Sequence, residues 1–96
     1  MNLDDYLEII LLLDDCFNFL KENGIITYRY EFCQKFLRRS TLYCAKIRPD
    51  RIPSLAVWVS LFVALNKYKG KMGDASKEAY LASLVKQVWN QVYTRL

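Results

Sequence analysis

The sequence predicts an all-α fold built from five helices. Apolar residues recur at three- and four-residue spacings through most of the chain, and glycine or proline stands between these periodic stretches. No stretch alternates apolar and polar residues in the way that a half-buried strand does. Hydrophobic residues make up 53% of the 96 residues, which is enough for a packed core, so residues 1–96 are expected to form one domain.

The first helix is predicted over residues 3–22. Two apolar stripes run along it and together cover more than half of its circumference. The stripes consist of Leu7, Ile10, Leu13, Phe17 and Leu20, and of Ile9, Leu12, Cys16 and Phe19. Asn2 or Asp4 is placed to cap the first turn, and Asn23-Gly24 is a typical C-terminal stop.

Two short helices are predicted next, over residues 28–37 and 40–48. With Tyr28 at the N-cap, Glu31 is the third helical residue, where a carboxylate suits the free backbone amides. Ser40 is a favourable N-cap for the second of these helices, and Pro49 ends that helix by the preceding residue.

The last two helices differ in character. Pro53-Ser54 opens the fourth helix, in which residues 55–65 are apolar on nearly every side, and such a helix lies at the centre of a domain or in an oligomer interface. A basic, glycine-containing segment over residues 67–74 then leads to a fifth helix over residues 76–95, with Ser76 as its N-cap.

The formal charge of +4 is unevenly distributed along the chain. Residues 1–24 carry six carboxylates and one lysine, whereas residues 29–51 carry seven lysines and arginines against two carboxylates. An acidic segment followed by a basic one gives a small domain a two-sided electrostatic field. The alternative, in which these charges form only a solvated surface, stays open.

Metal, cofactor and membrane binding are not expected. The chain has no histidine, and its cysteines Cys16, Cys33 and Cys44 lack the spacing of a zinc site. Each cysteine lies in an apolar helical pattern, which predicts reduced thiols in a cytoplasmic protein. No basic region precedes residues 9–13, and the longest apolar run is shorter than the ~20 residues of a membrane span, so neither a signal peptide nor a transmembrane segment is expected.

Catalysis is not expected either. The chain has no glycine-rich phosphate loop, and no serine or cysteine has an evident base. Asp14-Asp15 is a tight carboxylate pair, but neighbouring residues of a helix point about 100° apart and would not share one proton. An acidic surface is the better interpretation of that pair.

Residues 28–48 have the pattern of a helix-turn-helix, with a turn at Leu37-Arg38-Arg39. Together with the Pro53-Ser54-Leu55 start of the next helix, this stretch resembles the λ-repressor/Cro-like helix-turn-helix family. Phe32-Cys33 matches the family's Leu-Ala pair, and Ser40 matches the start of its recognition helix. The chain is also similar to a group of uncharacterised bacterial proteins of about this length with the same serine-to-PSL pattern. The resemblance implies a five-helix bundle and a DNA-binding transcriptional regulator that acts as a dimer.

The turn departs from that family's pattern. Leu37 stands near the position of the family's glycine, and Arg38-Arg39 lengthens the turn by one residue. A residue other than glycine at this point must avoid positive φ or accept strain. The segment that follows offers an apolar face where base-reading helices usually carry Gln, Asn, Ser or Arg. The resemblance therefore supports the fold more strongly than it supports sequence-specific DNA binding.

The predicted DNA-binding residues form two groups. The edges of the bases in double-stranded DNA would be approached from the second short helix, by Ser40, Thr41, Leu42, Tyr43 and Lys46. The phosphates would be contacted by the flanking arginines, which are Arg38, Arg39, Arg48 and Arg51.

A homodimer is the expected assembly, because repressor-like domains pair to read two half-sites. The predicted interface is the apolar side of the last helix, formed by Leu81, Val85, Val88, Trp89 and Val92. The alternative function is a helical protein-interaction module, such as an adaptor or inhibitor from a bacterium or mobile element that has lost DNA reading. Surplus apolar and aromatic surface is typical of such a module.

Overall fold

The computed structural model describes residues 3–96, which form helices and connecting turns. The elements in chain order are α1 (Leu3–Glu22), α2 (Arg29–Glu31) continued by a π-helix (Phe32–Phe36), a 3-10 helix (Tyr43–Lys46), α3 (Leu55–Asn66) and α4 (Ala75–Tyr93). Between residues 3 and 96 no β-strand forms, although the backbones of Arg48 and Arg51 make an isolated antiparallel bridge. The predicted all-α class is confirmed.

Helix α1 has the bounds predicted from its apolar periodicity. The predicted cap Asn2 lies outside the described residues. At the other end Gly24 adopts a φ of 72°, and the Ile25 N–H donates to the Leu20 carbonyl at 2.9 Å. This is the Schellman arrangement expected of a glycine just past a helix end, and it turns the chain back along α1.

The helix predicted over residues 28–37 is present in two parts. Tyr28 is its N-cap, and Oε1 of Glu31 accepts the Tyr28 N–H at 3.0 Å, as predicted. From Phe32 the helix widens to the π form, in which the Leu37 N–H donates to the Phe32 carbonyl at 3.1 Å. The side chains of Phe32 and Leu37, at the two ends of this wider turn, are both fully buried.

The helix predicted over residues 40–48 is replaced by turns and the four-residue 3-10 helix. Arg38 has a left-handed backbone (φ 55°), and Pro49 disfavours the α conformation of the residue before it, so only a short stretch could be helical. A helix that short is not stable by itself. Tertiary contacts determine the backbone of residues 40–48 instead, because Ile47 is buried and its carbonyl accepts the Tyr6 hydroxyl at 3.4 Å. The prediction of an α-helix at this point is therefore corrected.

Helices α3 and α4 form an antiparallel hairpin at the centre of the fold. Trp58, near the start of α3, is fully buried beneath the guanidinium of Arg95, which lies 5.5 Å from the centroid of its ring. Further along α3, Phe62 meets Trp89 with 5.3 Å between the ring centroids. Helix α1 packs antiparallel to α4, with Phe19 against Tyr80 near the start of α4.

Helix α4 begins one residue earlier than predicted, and Asp74 rather than Ser76 is its N-cap. The Asp74 Oδ1 atom accepts the backbone N–H groups of Ser76 at 2.7 Å and Lys77 at 3.3 Å. A carboxylate there also complements the positive end of the helix dipole, so the prediction of Ser76 as the cap is wrong. Within residues 3–96, no helix combines the length and the apolar character that crossing a bilayer requires.

Candidate nucleic-acid-binding surface

Residues 38–51, here called the basic loop, connect the π-helix to the approach to α3. The loop carries five basic side chains, which are Arg38, Arg39, Lys46, Arg48 and Arg51, and one carboxylate, Asp50. It contains all nine predicted DNA-binding residues. Eight of them are exposed, and Tyr43 is half-buried. The predicted residues thus lie in one continuous segment of mostly exposed side chains, although turns and a 3-10 helix present them in place of an α-helix.

Arg38 begins the basic loop in a strained conformation. Its φ of 55° lies in the left-handed region, where it is the one residue other than glycine among those the structure describes. The Arg39 N–H turns back to the Cys33 carbonyl at 2.9 Å, which closes the π-helix with a widened form of the Schellman bond. The turn predicted to need a glycine therefore accepts the strain, and it does so at Arg38 and not at Leu37.

The middle of the basic loop is anchored to the body of the fold. Ile47 is buried, and Cys44 and Tyr43 pack against the core with part of their surface covered. Burial raises the pKa of the Tyr43 hydroxyl, an effect that the nearby Arg39 guanidinium opposes, so the hydroxyl is neutral at pH 7. These anchors leave the side chains of Ser40, Thr41, Leu42 and Lys46 exposed.

The end of the basic loop is a tight turn. The Arg51 N–H donates to the Arg48 carbonyl at 2.9 Å, and the Arg48 N–H donates back to the Arg51 carbonyl at 3.4 Å. Pro49 and Asp50 occupy the two central positions, which suit proline at the first of them. The turn therefore brings the backbones of two arginines side by side, with both side chains exposed.

The loop cations have no carboxylate partner within residues 3–96. The ion pairs in that range are Arg29–Asp14 at 3.0 Å and Lys35–Glu31 at 3.3 Å, both outside the basic loop. Within residues 3–96, the Arg39 guanidinium donates only to the neighbouring Arg38 carbonyl, at 3.4 Å. The positive charge of the basic loop is therefore available to an external anion.

A shallow groove adjoins the start of the basic loop. Its volume is about 240 Å³, and it lies between the π-helix and the outward face of α3. Lys35, Arg38 and Lys67 line it together with Val59 and Val63, which are exposed. Lys35 is already paired with Glu31, so Arg38 and Lys67 are the two cations that remain beside Val59 and Val63. Together they can hold an anionic group that carries some apolar surface, such as a phosphate with its sugar.

A metal site is not formed by the described part of the chain. No three cysteine, aspartate or glutamate side chains among residues 3–96 lie close enough together to hold an ion. Each of the three cysteines is a free thiol.

Comparison with protein families gives one match, which covers most of the chain. Residues 13–95 match the profile of a family of unknown function, DUF6626. The chain belongs to the DUF6626 family. Comparison with curated proteins and comparison with solved structures each gave no match. The DUF6626 match begins within α1 and includes the whole basic loop, α3 and α4.

The predicted dimer residues of this DUF6626 protein occupy two environments. Leu81, Val85, Val88 and Val92 are buried in the core of the single chain, while 43% of the Trp89 surface is exposed. Trp89 borders a second groove of about 370 Å³, lined by Phe62, Lys69, Ala82, Val85, Lys86 and Trp89. The four core residues belong to the folding of one chain, so an interface on α4 would be formed by Trp89 and its exposed neighbours.

Sequence reasoning missed two juxtapositions in this DUF6626 protein. Lys67 joins Lys35 and Arg38 at the first groove although it lies far from them in the chain. Cys33 and Cys44 have their sulfur atoms 2.9 Å apart. No periodicity or motif spacing signals either contact, because the first depends on how α3 packs against the π-helix and the second on how the basic loop folds back over it.

Proposed function

We propose that this protein binds double-stranded DNA through its phosphate backbone, with the basic loop as the contact surface. The observation that carries the proposal is the set of five exposed loop cations that have no ion-pair partner within residues 3–96.

The proposed binding depends little on DNA sequence. Recognition helices lie in the major groove with several side chains on base edges, whereas the 3-10 helix of the basic loop has four residues and rises by only about 8 Å. Leu42, which is 66% exposed, offers no hydrogen bond to a base edge. The transcriptional-regulator role would then need a dimer or a partner to supply specificity.

Salt titration of binding to a labelled duplex tests the proposal. Five phosphate contacts predict a log–log slope of affinity against salt of about −4 to −5. The Arg48→Glu/Arg51→Glu variant removes two of the contacts, so the slope is expected to fall in magnitude by about 2 and the affinity to drop at every salt concentration. Helicity in circular dichroism is expected to stay unchanged, because both side chains are exposed.

The matched control is Lys71→Glu/Lys77→Glu, which changes the net charge equally at exposed positions outside the basic loop. It is expected to keep the wild-type slope. If the control weakens binding as much as the loop variant, the basic loop is not the contact surface. If the wild type shows no salt-sensitive binding to any duplex at low salt, the proposed function is wrong.

A second candidate is self-association as a two-fold dimer through the outer face of α4. The exposed indole of Trp89 at the edge of an apolar groove is the observation that favours it, because tryptophan is enriched at the buried centre of interfaces. In a two-fold contact, each Trp89 would meet the corresponding groove of the other copy.

Light scattering after size exclusion tests the dimer. Wild type is expected at twice the chain mass of 11.4 kDa. Trp89→Ala is expected to be monomeric, while Tyr93→Ala, which removes a more exposed aromatic residue from the same helix, is expected to remain dimeric. A wild type that is monomeric at every concentration tested would contradict the dimer.

A further inference from the structure

Two cysteines from different elements meet beneath the basic loop. Cys33 lies in the π-helix and is fully buried, and Cys44 lies in the 3-10 helix with part of its surface exposed. Their Sγ atoms are 2.9 Å apart, so a disulfide bond of about 2.05 Å requires the two atoms to approach by only ~0.9 Å. The third thiol, Cys16, is buried within α1.

We infer that Cys33 and Cys44 form a thiol–disulfide modification site, which is oxidised to an intramolecular disulfide by a low-molecular-weight disulfide. The site does not depend on nucleic-acid binding. Its product would link the π-helix covalently to the centre of the basic loop.

The difference in burial sets the order of the two exchange steps. Cys44 is the accessible thiol, so its thiolate attacks the external disulfide RSSR, forms a mixed disulfide and releases RS⁻. Cys33 then attacks the Cys44 sulfur and releases the second RS⁻. The two protons from the cysteine thiols go to the two leaving thiolates, so the protein loses two hydrogens and RSSR becomes two RSH.

The local environment makes the first step slow at neutral pH. Burial, with a smaller contribution from the neighbouring Cys33, raises the pKa of the Cys44 thiol to about 12. The thiol form of Cys44 then predominates strongly at pH 7, and only the thiolate attacks. The rate of oxidation is therefore expected to rise about tenfold per pH unit between pH 7 and 9.

The disulfide would constrain the loop more than the rest of the molecule. Cys33 and Cys44 are separated by 11 positions, and the closed ring includes the left-handed turn at Arg38. Closing such a loop removes conformations from the unfolded chain, so the oxidised protein is expected to melt on the order of 10 °C higher than the reduced protein.

The test is incubation of the full-length reduced protein with oxidised glutathione, followed by unfolding, alkylation and mass spectrometry. We expect the protein to lose about 2 Da and to retain one alkylatable thiol of its three cysteines, with the linked peptides containing Cys33 and Cys44. Cys16→Ala is expected to give the same disulfide. Cys33→Ala is expected to stop at a glutathione adduct on Cys44.

Three results would overturn the inference. These are a wild type in which all three thiols remain alkylatable at pH 9 after an incubation much longer than a control dithiol peptide needs, a wild type that stops at the glutathione adduct, and a disulfide that maps to Cys16. The wild-type measurement decides each of them, so the outcome does not depend on how well any variant folds.

Discussion

At the scale of single residues, Arg38 combines strain with exposure. Its left-handed backbone costs on the order of 1–2 kcal/mol, because the residue has a Cβ atom. Glycine would adopt the same conformation without that cost. The Arg38 side chain lines the groove with Lys35 and Lys67. The cation that Arg38 presents to the groove therefore comes at a cost in backbone strain.

Arg38→Gly is expected to stabilise the protein by about 0.5–1 kcal/mol, because the relief of left-handed strain exceeds the added entropy of glycine in the unfolded chain. The same variant is expected to reduce the salt slope of DNA binding by about 1. Urea unfolding followed by circular dichroism measures the first effect.

The control for this change is Arg38→Ala, which removes the same charge but keeps a Cβ atom. We expect no gain in stability from it. Equal stabilities for the glycine and alanine variants would mean that the backbone at this position is not left-handed in solution.

At the scale of elements, one carboxylate fastens the segment between α3 and α4. The Glu78 side chain, on the first turns of α4, accepts the Gly70 N–H at 2.9 Å with Oε2 and the Met72 N–H at 2.8 Å with Oε1. These backbone hydrogen bonds hold the pKa of Glu78 below its usual value. The segment is thus tied to α4 by a group that is charged at neutral pH.

Glu78→Gln is expected to lower the melting temperature at neutral pH, because an amide offers only one acceptor oxygen to the two N–H groups. A group whose pKa is lowered in the folded state stabilises it above the unfolded pKa, and that stability disappears as the pH falls through the folded value. The difference between wild type and variant is therefore expected to shrink as the pH falls below about 4.

Melting curves recorded between pH 7 and pH 3 measure this difference. Glu22→Gln, at the exposed last residue of α1, removes an equal charge and is the control. A pH-independent difference for Glu78→Gln would show that the carboxylate's charge has no part in holding the segment.

The three long helices could be predicted from the sequence, because their apolar periodicity is maintained over several turns. Asn23-Gly24 and Pro53-Ser54 marked the end of α1 and the start of α3 correctly. The segment 40–48 was predicted wrongly, because good helix-start chemistry at Ser40 says nothing about the left-handed turn before it. Local signals are outweighed there by the contacts of Ile47 with α1.

At the scale of the whole molecule, one part of the candidate site could be predicted from the sequence and another part could not. The cations of the basic loop could be predicted from their density in the sequence, since charged side chains seldom become buried. The contribution of Lys67 to the groove and the contact between Cys33 and Cys44 could not, because tertiary folding alone brings them together. Leu81 and Val88, predicted to lie in an interface, are buried in the core of the single chain, and the sequence could not separate the two because one amphipathic face can fill a core or a contact equally well.

The two tryptophans of the chain occupy opposite surroundings, and this gives the protein a pair of built-in optical reporters. Trp58 is enclosed by the core, whereas Trp89 has almost half of its surface in water. Indole emission shifts to shorter wavelength in apolar surroundings, and a dissolved quencher reaches only an exposed ring. A single fluorescence spectrum can therefore follow the opening of the core through Trp58 and the covering of the outer face of α4 through Trp89.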